Sequence, residues 1–302
     1  MVASLRRVWT VALVEWRTAL RSRRALVVLL LFAVIAGGVM YASVSGLSAL
    51  EEQVVESLSL PPSETPGSVT MTLWQSKPFA RFVERFTNNS LVFADIRGRH
   101  PLLLVYAVFL FQIVGLLTLM VSAGRIAEDL RGGAARYYLV RVTCTEWSLG
   151  KFFGEAMMIV TAMLIGGVVA WGVLMWRLPV KAALPLLPGV LDWSARASVY
   201  AFAWLGIFLG LSHIVKSGGK ATALGLLAIL GTAAWPVAVR NLVSSLELPA
   251  AFQQLDVFAP QSAWTLLWRR SPAVLFQGVV HLAALSFFYL ALGSAVFRRR
   301  DV

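Results

Sequence analysis

The chain alternates between long runs of apolar residues that contain no Asp, Glu, Lys or Arg and shorter stretches in which charges gather. The apolar runs are Ala25 to Val44, Leu102 to Gly124, Ala156 to Trp176, Ala197 to Val215, Ala221 to Val239 and Ala273 to Phe297. At a rise of about 1.5 Å per residue, each can cross a hydrocarbon core of about 30 Å with ordinary tilt. A helix in a soluble core would keep a polar face at a period of 3.6, whereas these runs are apolar all round. The pattern predicts an all-α integral membrane protein of six transmembrane helices.

A different period precedes the first span. Leu5, Val8, Trp9, Ala12, Leu13, Trp16 and Leu20 recur at three- and four-residue steps, and Arg6, Arg7, Thr10, Arg17 and Arg21 fill the other side. Residues 1–24 therefore predict an amphipathic helix lying in the membrane interface, with Trp9 and Trp16 at headgroup depth. A cytosolic extension of the first span is the simpler alternative. A cleavable signal peptide is the rival for the span itself, but the long, organised lead-in predicts a retained helix.

The polar stretches divide the remaining 25–302 segment. An outer loop, 45–101, contains Pro61, Pro62, Pro66 and Gly67 between two helical pieces, Ser48 to Leu60 and Lys77 to Phe86. A cytoplasmic loop, 125–152, follows the second span. Pro179, Pro185 and Pro188 punctuate a short turn between spans three and four. The stretch from Arg240 to Pro272 mixes Phe252, Phe258, Trp264 and Trp268 with few charges, and predicts short helices dipping into the outer leaflet.

Composition agrees with lipid as the solvent. Of 302 residues, 58% are apolar and 14% charged, against roughly a quarter charged in soluble proteins. The net charge of +12 is unevenly placed. With Met1 inside, sixteen of the 27 basic residues fall in the short inner segments, an asymmetry that predicts both termini in the cytoplasm. These Arg clusters flank spans and lie on no basic module, which argues for anionic lipid and against nucleic acid as their partner. The single cysteine, Cys144, excludes an intramolecular disulfide.

Four stretches resemble the permease subunits of type-2 ABC exporters, the ABC-2 family. Val11-Ala-Leu-Val-Glu-Trp-Arg-Thr-Ala-Leu-Arg-Ser-Arg-Arg-Ala25, with its internal Glu15, looks like that family's connecting helix. Arg125-Ile-Ala-Glu-Asp-Leu-Arg-Gly-Gly133 is similar to its turn leaving the second span, and Tyr138 to Lys151 resembles the loop that ends in Gly-Lys before the third. The ending Phe297-Arg-Arg-Arg-Asp-Val302 matches the usual close of such subunits. Two departures are the Val142 to Thr145 stretch, where the family has Pro followed by Ser-Arg or Thr-Arg, and Gly132-Gly133 in place of Gly-Thr.

The resemblance implies a permease in the inner membrane of a prokaryote, paired with itself or a homologous permease. It would be driven by two copies of a separate cytoplasmic ABC ATPase that carries the ATP and Mg; no cofactor is expected in this chain. It also implies that the loop transmits nucleotide-driven closure, with Glu128, Asp129, Arg131, Gly132, Gly133, Arg136, Arg141, Glu146 and Lys151 as coupling residues and Ala134 to Val142 as a short interfacial helix. One rival within the family relays force to a periplasmic or surface partner through the 45–101 loop; another, outside it, is a membrane anchor with no ATPase.

Enzymatic chemistry is missing from the residues. No Gly-x4-Gly-Lys-Ser/Thr phosphate cradle occurs, and Ser217-Gly-Gly-Lys220 has neither its spacing nor its preceding strand. Ser212 and His213 are neighbours that point different ways along a helix, so they predict no nucleophile and base. His100, His213 and His281 lie in separate segments without further ligands, which predicts no metal site. Gln112, Gln277 and His281 are polar groups at membrane depth, candidates for lining a pathway or, equally, for hydrogen bonds between helices. Gly37-Gly38, Gly166-Gly167 and Gly206-x3-Gly210 predict close helix packing.

Overall fold

A computed structural model describes residues 2–58, 95, 98–245 and 250–299. Among these the secondary structure is entirely helical: α1 (Val2–Arg21), α2 (Arg23–Leu58), α3 (Pro101–Ser122), α4 (Arg125–Arg131), α5 (Ala134–Leu139), α6 (Cys144–Arg177), α7 (Leu187–Ile214), α8 (Gly218–Ser245) and α9 (Pro272–Arg298), with short turns between. Five helices are long and apolar enough to cross a membrane, and α8 makes a sixth span if its two arms count as one. Those arms, Gly218–Trp235 and Val237–Ser245, meet at 49° with Pro236 at the break. The protein is an all-α, multi-pass membrane protein.

α7 is the central post, packed against α3, α6 and α9. Its contact with α9 is backbone on backbone, because Gly206 meets Ser286, and Gly210 meets Tyr289 and Gly293. A side chain at any of these glycines would push the helices apart. The Ser286 hydroxyl donates across the seam to the Phe202 carbonyl at 2.6 Å, the kind of bond that joins helices where no water competes.

The termini of the spans depart from the apolar windows for local reasons. α2 does not stop at Val44 but continues to Leu58, taking up the first part of the expected outer loop and most of its piece Ser48 to Leu60. Ser43 and Ser48 do not break it, because their hydroxyls donate back to the carbonyls of Val39 and Val44 at 2.6 and 2.9 Å. The piece Lys77 to Phe86 lies outside the described residues. α6 starts at Cys144, inside the expected cytoplasmic loop, because Thr143 and Glu146 form a capping box.

α1 is tied to α2 through Ser22, whose hydroxyl donates to the Ala19 carbonyl at 2.7 Å and accepts from the Ala25 amide at 3.1 Å. It lies against α6 on a face of Val8, Val11, Ala12 and Ala19, all buried. Gly150 and Gly154 make room for it: a Cβ on Gly150 would stand 2.5 Å from Val11, and one on Gly154 2.7 Å from Glu15. A second apolar face turns outward, with Leu5 70% and Trp9 52% exposed.

α1, the α4–α5 hairpin, the α7–α8 turn and the close of α9 gather at one end of the bundle, here called the terminal end. At the far end, the segment 250–268 folds back beside α9 as 3-10 turns around the short helix Gln261–Trp264. Arg196 holds its exit by donating to the carbonyls of Leu267 and Arg269 at 2.6 and 2.9 Å, while Asp192 pairs with Arg196 at 2.8 Å and Arg99 at 3.1 Å. Phe111, Trp193, Trp264 and Trp268 stack beneath, with centroids 4.8 to 6.3 Å apart.

Candidate functional site

The terminal end concentrates the charges, and its centre is Lys151. This side chain is only 3% exposed, and its Nζ lies 2.6 Å from Glu15 Oε1 of α1 and in an ion pair with Asp129 of α4. The rings of Tyr138 and Trp147 stand about 6 Å away on its other sides. One cation thus joins α1, α4 and α6, with α5 laid over it. Burial, together with the Glu15 carboxylate, pushes the Tyr138 phenol above its ordinary value, so it stays protonated.

Further bonds fix the same base. Arg125 pairs with Glu155 at 3.0 Å, and Glu155 is 1% exposed. The Ala127 amide donates to the Ser212 hydroxyl at 3.0 Å, tying α4 to α7. His213 is buried, with Nδ1 2.8 Å from the Leu209 carbonyl and Nε2 2.8 Å from the Ser148 hydroxyl. A carbonyl only accepts, so Nδ1 carries the proton and Ser148 donates to Nε2. This pair joins α6 to α7 inside a shell containing Trp147 and Phe297.

On this base stands the α4–α5 hairpin. Gly132 closes α4, its amide donating to the Glu128 carbonyl at 2.8 Å, and Gly133 makes the turn at φ +74°, a left-handed conformation that costs glycine nothing. The Glu128 carboxylate lies against Gly218, the first residue of α8, where the helix dipole favours an anion. On α5, Ala135 faces inward and Tyr138 and Leu139 are half-buried, so the opposite face is presented. Tyr137 is 83% exposed and Val140 86%, with Arg131, Arg136 and Arg141 exposed around them.

The nine expected coupling residues take up different places. Asp129, Glu146 and Lys151 turn into the base, where Glu146 caps α6 and pairs with Arg7 at 3.3 Å. Arg131, Arg136 and Arg141 point outward, Glu128 rests on α8, and Gly132 and Gly133 shape the turn. Tyr137 and Val140 lie outside the expected coupling set, although positions 136, 137, 140 and 141 opposite 135, 138, 139 and 142 show the three- and four-residue steps of a two-faced helix. Glu15 joins the base through Lys151, Trp9 is exposed, and the half-buried Trp16 has its indole N–H 3.3 Å from the Thr161 hydroxyl of α6.

Of the expected pathway residues, Gln277 and His281 lie four apart on α9 and Gln112 lies on α3. Gln112 on α3 and Gln277 on α9 are exposed on helices that both pack on α7. His281 is engaged at the far end, with Nε2 3.1 Å from the Val257 carbonyl. Among the described residues, no group of three His, Cys, Asp or Glu has the arrangement of a metal site.

A family model described as ABC-2 family transporter protein matches residues 9–302. No curated protein matches the chain.

Proposed function

From the premise that this chain belongs to the ABC-2 family of transporter proteins, and is thus a membrane permease component of an ABC transporter, we propose that it couples ATP hydrolysis by a separate cytoplasmic ATPase to export of a substrate. ATP and Mg reside in that partner, two copies of which serve a pair of permeases. The pair is either two copies of this chain or this chain and a homologue. The terminal end faces the cytoplasm across the inner membrane of a prokaryote, in keeping with its arginines.

The observation that carries this reading is the tip of α5. Tyr137 and Val140 present large side chains that almost nothing in the chain covers, with the exposed Arg131, Arg136 and Arg141 beside them on a base that Lys151 anchors. Interfaces draw much of their energy from such Tyr and Arg anchors, and a basic rim selects a groove of acidic character. Displacement of α5 would pass to α1 and α6 through Lys151 and to α7 through Ala127 and Ser212.

The test is co-purification with the cognate ATPase from native membranes. Tyr137→Ala combined with Val140→Asp should weaken association at least about tenfold, as loss of anchor residues does, while insertion and melting stay as in the parent. Association at the parental level would remove α5 as the docking element. Absence of any ATPase from the parental preparation would favour the membrane-anchor reading.

Relay of force to a partner beyond the membrane draws support from α2. Its 36 residues extend about 54 Å, well past a hydrocarbon core of about 30 Å, and bring exposed Glu52 and Glu56 to the far side. A partner bound there would shield the last turns of α2 from protease in the assembled complex and leave them open in the isolated permease.

A further inference from the structure

A cavity of about 370 Å³ lies between α8, α9 and the folded-back segment at the far end, with Gly231, Thr232, Trp235, Leu255, Phe258 and Tyr289 in its wall. The volume is within the usual range of small-molecule sites, about 300–1,000 Å³. Its depth follows from the helices. Gly231 is midway along the 28 residues of α8, roughly 20 Å from its start, and Tyr289 is roughly 25 Å along α9. The cavity therefore sits within the hydrocarbon layer.

Its polar atoms are already committed. The Trp235 indole N–H donates to the Leu255 carbonyl at 2.9 Å, and the Tyr289 hydroxyl donates to the Phe258 carbonyl at 2.9 Å. The Thr232 hydroxyl donates to the Ala228 carbonyl at 2.8 Å and accepts from Gln261 Nε2 at 3.2 Å. The first two satisfy carbonyls of the folded-back segment at membrane depth, where water is not at hand. They also leave aromatic and aliphatic surface facing the space, and the Thr232, Trp235 and Tyr289 donors in its wall could reach a polar ligand only by giving up one of these bonds.

We infer that this cavity holds one acyl chain of a membrane phospholipid as a resident ligand. An apolar space at that depth borders hydrocarbon and not water, and the molecules whose long apolar tails surround it are phospholipids. An apolar export substrate shares that chemistry, but the cavity is walled by the segment that Arg196, His281 and Tyr289 tie in place, which suits a bound chain better than a passing one. The chain fills the gap beneath the Leu255 to Phe258 backbone and braces it against α8. This reading does not depend on the ATPase or on transport.

Gly231 allows a direct test, because a Cβ there meets open space. Native mass spectrometry of the full chain, during stepwise removal of lipid by detergent, should find one phospholipid per chain retained after the surface lipid has gone. Gly231→Leu places a side chain in the cavity and should lower that occupancy at least tenfold. Its melting temperature should be unchanged or raised, because Leu is a better helix former than Gly. Retention of the phospholipid by Gly231→Leu, or its absence from the parent, or a retained molecule that is not a phospholipid, would overturn the inference. If the variant does not fold, the parent with one chain-brominated phospholipid bound supplies the answer. Trp235 should account for the quenched fluorescence, and quenching that survives Trp235→Phe counts against the site.

Discussion

Lys151 shares almost no surface with solvent, and the two carboxylates beside it come from helices far apart in sequence. Replacing it with Met keeps most of the side-chain volume but leaves Glu15 and Asp129 facing each other with no cation. Breaking a buried ion pair from one side costs roughly 3–5 kcal/mol, so Lys151→Met should lower the melting temperature in detergent clearly. Adding Glu15→Gln and Asp129→Asn should recover much of the loss, because no uncompensated charge then remains. A Lys151→Met protein that melts with the parent would mean that the network contributes nothing to folding. The sequence displays the three charges and their signs, and the resemblance assigns Asp129 and Lys151 to coupling. Their direction is not legible in it, because that depends on where α6 begins. The capping box Thr143-Cys-Thr-Glu146 holds that information, as an N-cap Thr with Glu three residues on, and it moves the helix start twelve residues ahead of the apolar window. Hydropathy alone follows the lipid boundary and passes over a helix that starts in water.

Among the elements, α1 carries two apolar faces where the periodicity suggests one. Val8, Val11 and Ala12 seat on Gly150 and Gly154, while Leu5 and Trp9 turn away from the bundle. A hydrophobic pattern adds both faces together, since it counts apolar character and not the size of what opposes it. The complementary signal, two glycines four apart on α6, was present in the chain but is read only with its partner in view. The two tryptophans of α1 therefore predict different behaviour. In vesicles with quenchers near the headgroups, Trp9→Phe should remove a quenchable share of the fluorescence. Trp16→Phe should remove much less, because that indole is half-buried against Thr161. Equal losses from both variants would place α1 away from α6, and no loss from either would take it out of the interface.

At the scale of the whole molecule, the apolar windows anticipate the number and order of the long helices, because lipid imposes one rule on every span. They do not anticipate the extension of α2 to Leu58, the kink in α8 with Pro236 at its break, or the folded-back segment held by donors on α7 and α9. Orientation rests on charge alone, and it decides whether the tip of α5 can reach an ATPase. Sixteen of the 27 basic residues flank the terminal end by sequence, so that end should face the cytoplasm. Single-cysteine labelling in a Cys144→Ser background tests this with two exposed positions at opposite ends, Val140 just after α5 and Trp176 at the close of α6. Trp176→Cys should react with an impermeant maleimide in cells whose outer barrier alone has been opened. Val140→Cys should stay unlabelled until the inner membrane is breached. The reverse pattern would put α5 and its arginines on the side without ATP, and the proposed coupling to a cytoplasmic ATPase would fail with it, whereas the cavity beneath Leu255 to Phe258 would keep its acyl chain in either orientation.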